Sequence, residues 1–168
     1  MPETESLIPD ETRALIGQRL SEPIAKKITS DAAQRFAYAA DDLNPIYFDD
    51  AAAKAAGYRA CVVPPTYLGW AIGPFRPLTA LRLDGLYGAS GDARRITLNV
   101  KRTMAGGDEW DFLAPIYGGD TITAETRLKS LDEKTGGSGP FVLQTTETTY
   151  TNQHGDVVAR ARGTGIAR

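Results

Sequence analysis

The sequence predicts an α+β domain, and three observations predict it. Alanine-rich segments with helical spacing lie in the first third of the chain. Segments that alternate apolar and polar residues fill the last third. Between them, Pro64-Pro65-Thr66-Tyr67-Leu68-Gly69-Trp70-Ala71-Ile72 carries no charge on any face. Helices and strands segregated along a chain make an α+β domain rather than an alternating parallel one. An antiparallel sheet wrapped round one apolar helix uses all three features.

Taken in order, residues 1–14 read as a loose arm and residues 15–168 as a single domain. The first ten residues hold two prolines and several acids. Glu22 to Thr29 forms a first strand behind the breaker Pro23. Ser30 or Asp31 then caps a helix, because a short side-chain oxygen accepts a free N–H of the first turn. Ala32, Ala33, Phe36, Ala37 and Ala40 share one stripe of that helix. Asn44-Pro45 ends it, since the residue before proline is pushed out of the helical region. A second short helix starts at Asp49 or Asp50 and stops at Gly57, the usual left-handed cap. The uncharged segment is a third helix, over 65–73. Being apolar all round, it is expected to be buried.

Residues 82–93 form a Gly-rich loop. Ile96 to Met104 is β-rich, and Trp110 and Phe112 occupy a short strand. From Asp120, Ile122, Ala124, Thr126 and Leu128 face one way and Thr121, Thr123, Glu125, Arg127 and Lys129 the other. That is a strand with one wet face. Gly136-Gly137-Ser138-Gly139 turns it, Phe141 to Tyr150 returns, and Asn152 to Asp156 makes a hairpin into Val157 to Ile166.

The 168 residues suit one domain. A fold of this mass buries about 70% of the unfolded surface. Nineteen basic and 21 acidic residues leave a net charge of −2, not the basic footprint of a nucleic-acid binder. No apolar run approaches the ~20 residues of a membrane span, and the N-terminus is acidic and polar, unlike a signal peptide. The expectation is a cytoplasmic protein with neither nucleic-acid nor membrane partner. One cysteine, Cys61, and one histidine, His154, leave no thiolate cluster, and no metal is expected.

The densest polar cluster is Asp41-Asp42-Leu43-Asn44-Pro45-Ile46-Tyr47-Phe48-Asp49. Its local chemistry is that of a turn between helices. The run Tyr38-Ala39-x-x-Asp42-x-Asn44-Pro45-Ile46, followed by a small-residue helix ending at Gly57, also resembles the hydratase motif of the MaoC-like dehydratases. The likeness is to their N-terminal, FAS1-like dehydratase branch. Gly57-Tyr58 leading to Val63-Pro64-Pro65-Thr66-Tyr67 fits it. So do Phe112-x-x-Pro115-Ile116-x-x-Gly118-Gly119-Asp120 and Thr146 to Gln153. The resemblance covers roughly residues 15–168 and rests on these motifs in order.

The resemblance implies a hot-dog fold and dimers that bind acyl-CoA or acyl-carrier-protein thioesters between protomers. No cofactor is implied, since coenzyme A enters as part of the substrate. The family reaction adds water reversibly across a 2-enoyl thioester to give the (R)-3-hydroxyacyl product. An Asp and a His hold and deprotonate the water. A backbone N–H at the start of the central helix holds the thioester oxygen, where negative charge develops.

The chain departs from that pattern twice. Catalytic members run Asp-x-Asn-Pro-x-His, and here the His position is Tyr47. A base for water should titrate near neutrality, whereas tyrosine has an unperturbed pKa of about 10. At the helix start, where catalytic members carry Gly, stands Pro65, which has no N–H. With the alignment shifted by one residue, Thr66 donates instead. The dyad positions Asp42 and Tyr47, with Asn44 in the motif, are thus degenerate. His154 reads as a surface turn residue and Cys61 as a buried structural thiol. The expected substrate-binding set is Pro65, Thr66, Tyr67, Trp70, Arg94 and Arg95, the arginines meeting phosphate through guanidinium forks.

The resemblance therefore implies an acyl-thioester-binding, non-catalytic subunit of an (R)-specific enoyl-CoA hydratase or 3-hydroxyacyl thioester dehydratase. Alone it would be an inactive homodimer; with a dyad-bearing MaoC-like subunit, a heterodimer. Two rivals stand beside it. One is a self-sufficient homodimeric hydratase using Asp42 and Asn44. The other is an acyl-CoA binding module with no part in catalysis.

Overall fold

The computed structural model describes residues 6–73, 77–81, 83, 96–100 and 102–168. Most of the Gly-rich loop expected at 82–93, and both Arg94 and Arg95, lie outside the described residues. Helix α1, Asp10–Arg13, opens on Pro9, whose carbonyl accepts the N–H groups of Thr12 and Arg13. Thr12 is buried and donates its hydroxyl to the Thr97 carbonyl at 2.7 Å. Ile8 is buried beside Leu128, Leu131, Val142 and Ala167. The segment expected to be a loose arm is therefore docked from Ser6 onwards, by partners far away in the sequence.

Strand β1, Ile24–Lys27, is shorter than the expected Glu22–Thr29. Helix α2, Ser30–Ala39, is capped by Thr29, whose hydroxyl accepts the Ala32 N–H. The expected caps Ser30 and Asp31 lie inside the helix, and Asp31 instead pairs with Arg35 one turn on. Ala33 and Ala37 are the buried stripe. Helix α3, Asp50–Ala55, is capped by Asp49 and is followed by Gly57 at φ +90°. Helix α4, Tyr67–Ala71, is only five residues long, shorter than the expected 65–73. It is not buried all round: Leu68 is 0% exposed, but Trp70 on the other face is 67% exposed. An uncharged helix face does not require burial on both sides.

The sheet contains β2 (Thr103–Phe112), β3 (Thr121–Gly136), β4 (Gly139–Thr151) and β5 (Val157–Ala167). Its five antiparallel strands run in the order β1-β3-β4-β5-β2. Tight Gly136-to-Gly139 and Asn152-to-Asp156 turns fix the β3–β4–β5 registers, as their residue types predict. One correction concerns β2. The β-rich stretch 96–104 and the short strand around Trp110 resolve into a single ten-residue strand starting at Thr103. Residues 96–100 are irregular, and Ile96, Leu98 and Val100 pack over one end of the sheet.

Ile122, Leu128, Val142 and Ala159 bury their side chains under α4 and the arm, and Val158, at the register shift between β4 and β5, joins the same core. Trp110, stacked on both Phe112 and Tyr150, closes that core against α4. Its ring lies so near Gly69 that a Cβ there would be 3.3 Å away. The two sheet edges differ. On the β1 side, Gly17 and Leu20 donate to the Leu128 and Thr126 carbonyls, continuing the cover of β3 beyond four-residue β1. The outer edge of β2 is exposed along most of its length.

Candidate functional site

An apolar cavity of about 300 Å³ opens beside the turn between α2 and α3. Ile46 and Tyr47 line it beside Tyr58, Val62, Val63 and Pro65, and Phe112 to Ile116, leading out of β2, complete it. The sequence dictates how Tyr47 reaches it. Asp42 donates its N–H to the Ala37 carbonyl, and Asp41 turns the chain with φ +55°, a region that Asp tolerates better than most residues. Asn44 Oδ1 then accepts the Ile46 N–H at 3.2 Å, and Pro45 opens a 3₁₀ turn over Pro45–Tyr47. Gln34 on α2 donates to the Tyr47 carbonyl at 3.0 Å. Asn44 thus serves here as the cap that delivers Tyr47.

Tyr47 is 8% exposed. Burial holds its phenol above the usual tyrosine value, and the neighbouring Asp42 carboxylate raises it further. At neutral pH the phenol keeps its proton. It can donate a hydrogen bond, but it is a poor general base for water.

The 61–63 end of the next lining segment, residues 58–63, is fixed by three backbone N–H groups. Cys61 donates its N–H to Asp50 Oδ1 at 2.8 Å, which holds the Asp50 carboxyl below its ordinary range. The Cys61 thiol is half-buried rather than fully buried, and is pushed up by burial and then by Asp50, the reverse of an activated nucleophile. Val62 donates to the Ile46 carbonyl and Val63 to Ile116.

The expected binding residues do not gather in one place. Pro65 lines the cavity; Thr66 is exposed and outside its lining. Tyr67 and Trp70 form an aromatic cluster with Phe36 away from the cavity, Tyr67 being core and Trp70 largely in solvent. The Tyr67 and Leu68 N–H groups donate to the Pro64 and Pro65 carbonyls. His154 is exposed in the β4–β5 hairpin, its N–H bound to Asn152 Oδ1. Among the described residues no group of three His, Cys, Asp or Glu side chains is placed to hold a metal ion. Tyr58, Val62 and Phe112 to Ile116 were not among the expected binding residues. The signal was present, since Gly57-Tyr58 and Phe112-x-x-Pro115-Ile116 are two of the segments that carry the family resemblance.

A curled antiparallel sheet packed on a short apolar helix is a hot-dog fold, and here an Asp-x-Asn-Pro turn delivers its next side chains to an apolar cavity of that fold. Residues 14–161 match the family described as FAS1-like, dehydratase domain region, and the chain belongs to that family. A UPF0336 protein of Thermobifida fusca is 27% identical over 84% of this chain and 86% of its own length. A probable enoyl-CoA hydratase alpha subunit of Thermomonospora curvata is 28% identical over 89% of this chain, which spans only 48% of that protein. Among solved structures, the ChsH1–ChsH2 complex from Mycobacterium tuberculosis matches with a TM-score of 0.69 at 18% identity, over 94% of this chain and 96% of that one. The (R)-hydratase of A. caviae involved in PHA biosynthesis matches at 0.58 and 19% identity, over 98% of both chains.

Proposed function

We propose that this chain is the acyl-thioester-binding, non-catalytic subunit of an (R)-specific enoyl-CoA hydratase or 3-hydroxyacyl thioester dehydratase, working beside a MaoC-like subunit with an intact Asp-x-Asn-Pro-x-His motif. The observation that carries this reading is the buried, protonated Tyr47 phenol next to Asp42. Adding water across a 2-enoyl thioester needs a base to take a proton from the water while the β-carbon is attacked, and a donor for the developing enolate oxygen. Tyr47 holds its proton, and Pro65, where the cavity meets the start of α4, has no N–H to give. The apolar cavity remains suited to an acyl chain. The exposed edge of β2 offers a row of backbone groups to which a strand of the other subunit can add. The alpha-subunit name of the Thermomonospora relative and the two-component name of the Mycobacterium complex favour such a partner.

The test is hydration of crotonyl-CoA by the purified chain, alone and co-expressed with a dyad-bearing MaoC-like chain. Alone, it should run as a homodimer by light scattering and hydrate negligibly, because losing a general base costs about 10²–10⁴ in rate. Co-expression should give an active heterodimer. A turnover of a few per second for the chain alone overturns the reading in favour of a self-sufficient hydratase. A heterodimer no faster than the partner alone favours a binding module.

A further inference from the structure

Two adjacent stretches of backbone contribute to the cavity lining: residues 58–63, through Tyr58, Val62 and Val63, and residues 112–116. Backbone joins them at a single bridge, Val62 to Tyr117, and at the bond from Val63 N–H to the Ile116 carbonyl, 2.8 Å. A side-chain cluster lies immediately beside this seam. The Arg59 guanidinium sits over the Tyr117 ring, 4.1 Å from its centroid, and its Nη2 is 3.5 Å from Asp120 Oδ1. The Arg59 N–H points to the Tyr117 hydroxyl at 3.5 Å. Asp120 is 7% exposed, one of the few polar residues buried among those described. Its Oδ2 accepts the Tyr117 N–H at 2.9 Å, and its Oδ1 accepts Gln153 Nε2 at 3.0 Å. Gln153 is itself oriented, because its Oε1 accepts the Thr121 N–H.

One carboxylate therefore ties together the 58–63 wall, the turn at 117–120 and the β4–β5 hairpin. A buried carboxylate leaves water only when its lone pairs are filled. Here the Tyr117 N–H and Gln153 Nε2 each donate to one oxygen, and the Arg59 guanidinium adds an ion pair from the 58–63 segment, so the three segments hold one another in register. We propose that Arg59 and Asp120 form a clamp that fixes the separation of the two lining segments, with Asp120 as the positioning residue and Arg59 as the arm that reaches across. Only the ligand arm of the test below rests on the acyl-thioester reading.

The experiment is amide hydrogen exchange on the full chain, wild type against Asp120→Asn, Arg59→Ala, Arg59→Lys and the Arg59→Ala/Asp120→Asn double variant. Local opening and global unfolding give different exchange patterns. A clamp predicts that the Val63 amide exchanges roughly tenfold faster in both single variants, while Thr146 and Thr148 in central strand β4 keep their wild-type rates. Arg59→Lys, which keeps the charge, should recover part of the protection. The double variant should exchange little faster than either single, as groups in one network do. Equal acceleration throughout the sheet, an unchanged Val63, or effects that multiply in the double variant would each overturn the clamp. Because Arg59 is largely exposed, its truncation leaves the core intact and keeps the test open should Asp120→Asn fail to fold. In the ligand arm, octanoyl-CoA binding measured by calorimetry should weaken roughly tenfold in Arg59→Ala and less in Arg59→Lys. Absence of binding to the wild type would refute the acyl-thioester reading and leave the clamp to the exchange data. Unchanged affinity with a loosened Val63 would overturn the positioning role.

Discussion

On the proposed reading, Tyr47→His should bring a group that titrates near neutral pH to the cavity without by itself yielding a good hydratase. The imidazole regains a step worth about 10²–10⁴ in rate. On that reading the variant would still lack an oxyanion donor, a loss of about 10²–10³. The structure shows why neighbouring donors do not make good the loss. Pro65 is the residue of that turn which lines the cavity, and it has no N–H. The Tyr67 N–H is engaged by the Pro64 carbonyl at 3.0 Å, the Leu68 N–H points to the Pro65 carbonyl, and Thr66 lies outside the lining. Purified Tyr47→His, Pro65→Gly and the double variant, assayed by loss of the enoyl thioester absorbance of crotonyl-CoA, separate the two terms. Parts of one site are strongly non-additive. The double variant should exceed Tyr47→His by at least ~10², and Pro65→Gly alone should remain inactive. If Tyr47→His alone matches the double variant, the oxyanion argument is wrong.

Two further predictions concern stability. A Cβ at Gly118 would lie 1.9 Å from Ser30 Oγ and 3.1 Å from both Ser30 Cβ and N, so Gly118→Ala should destabilise by about 1–3 kcal/mol in urea unfolding. Ser30→Ala should recover only part of this, since the contacts to Cβ and backbone remain, and an unchanged midpoint would refute the packing described. The Tyr150 phenol is pushed up to about 12 by burial and by Asp108. The folded state favours the neutral phenol, so its contribution of about 2–3 kcal/mol is complete below pH ~10 and is lost as pH rises through 12. Melting temperatures measured from pH 9 to 12 should fall less steeply for Tyr150→Phe, and parallel curves would contradict the assignment.

The β3–β4–β5 meander was legible because its signals are local. Ile122 and Leu128 alternate with polar neighbours, and glycine-rich and Asn-to-Asp turns mark both hairpins. The polar turn was legible for the same reason, with Asn44 and Pro45 specifying a cap and a 3₁₀ turn in adjacent residues. Helix α4 was misread because apolar composition does not distinguish a helix buried on both sides from one that leaves Trp70 in solvent. The docked arm was invisible because Thr12 and Ile8 are anchored by Thr97, Leu128 and Val142, and no local pattern announces such partners. The same applies to Arg59 and Asp120. Gly118-Gly119-Asp120 reads as a turn, and nothing near it in the sequence points to a guanidinium arriving from beyond α3.

The unequal edges of the sheet determine how far any assembly can grow. A sheet with two open edges is a bifunctional monomer, adding copies at both sides until a ribbon forms. Here β1 presents only four residues, two of them lysines, and the Lys26 ammonium is directed to the Gly73 carbonyl. β2 presents ten. The chain is thus monofunctional with respect to strand addition. Among the described residues no comparable edge would be left once β2 had taken a partner strand, so strand addition would stop at a pair rather than propagate into a filament.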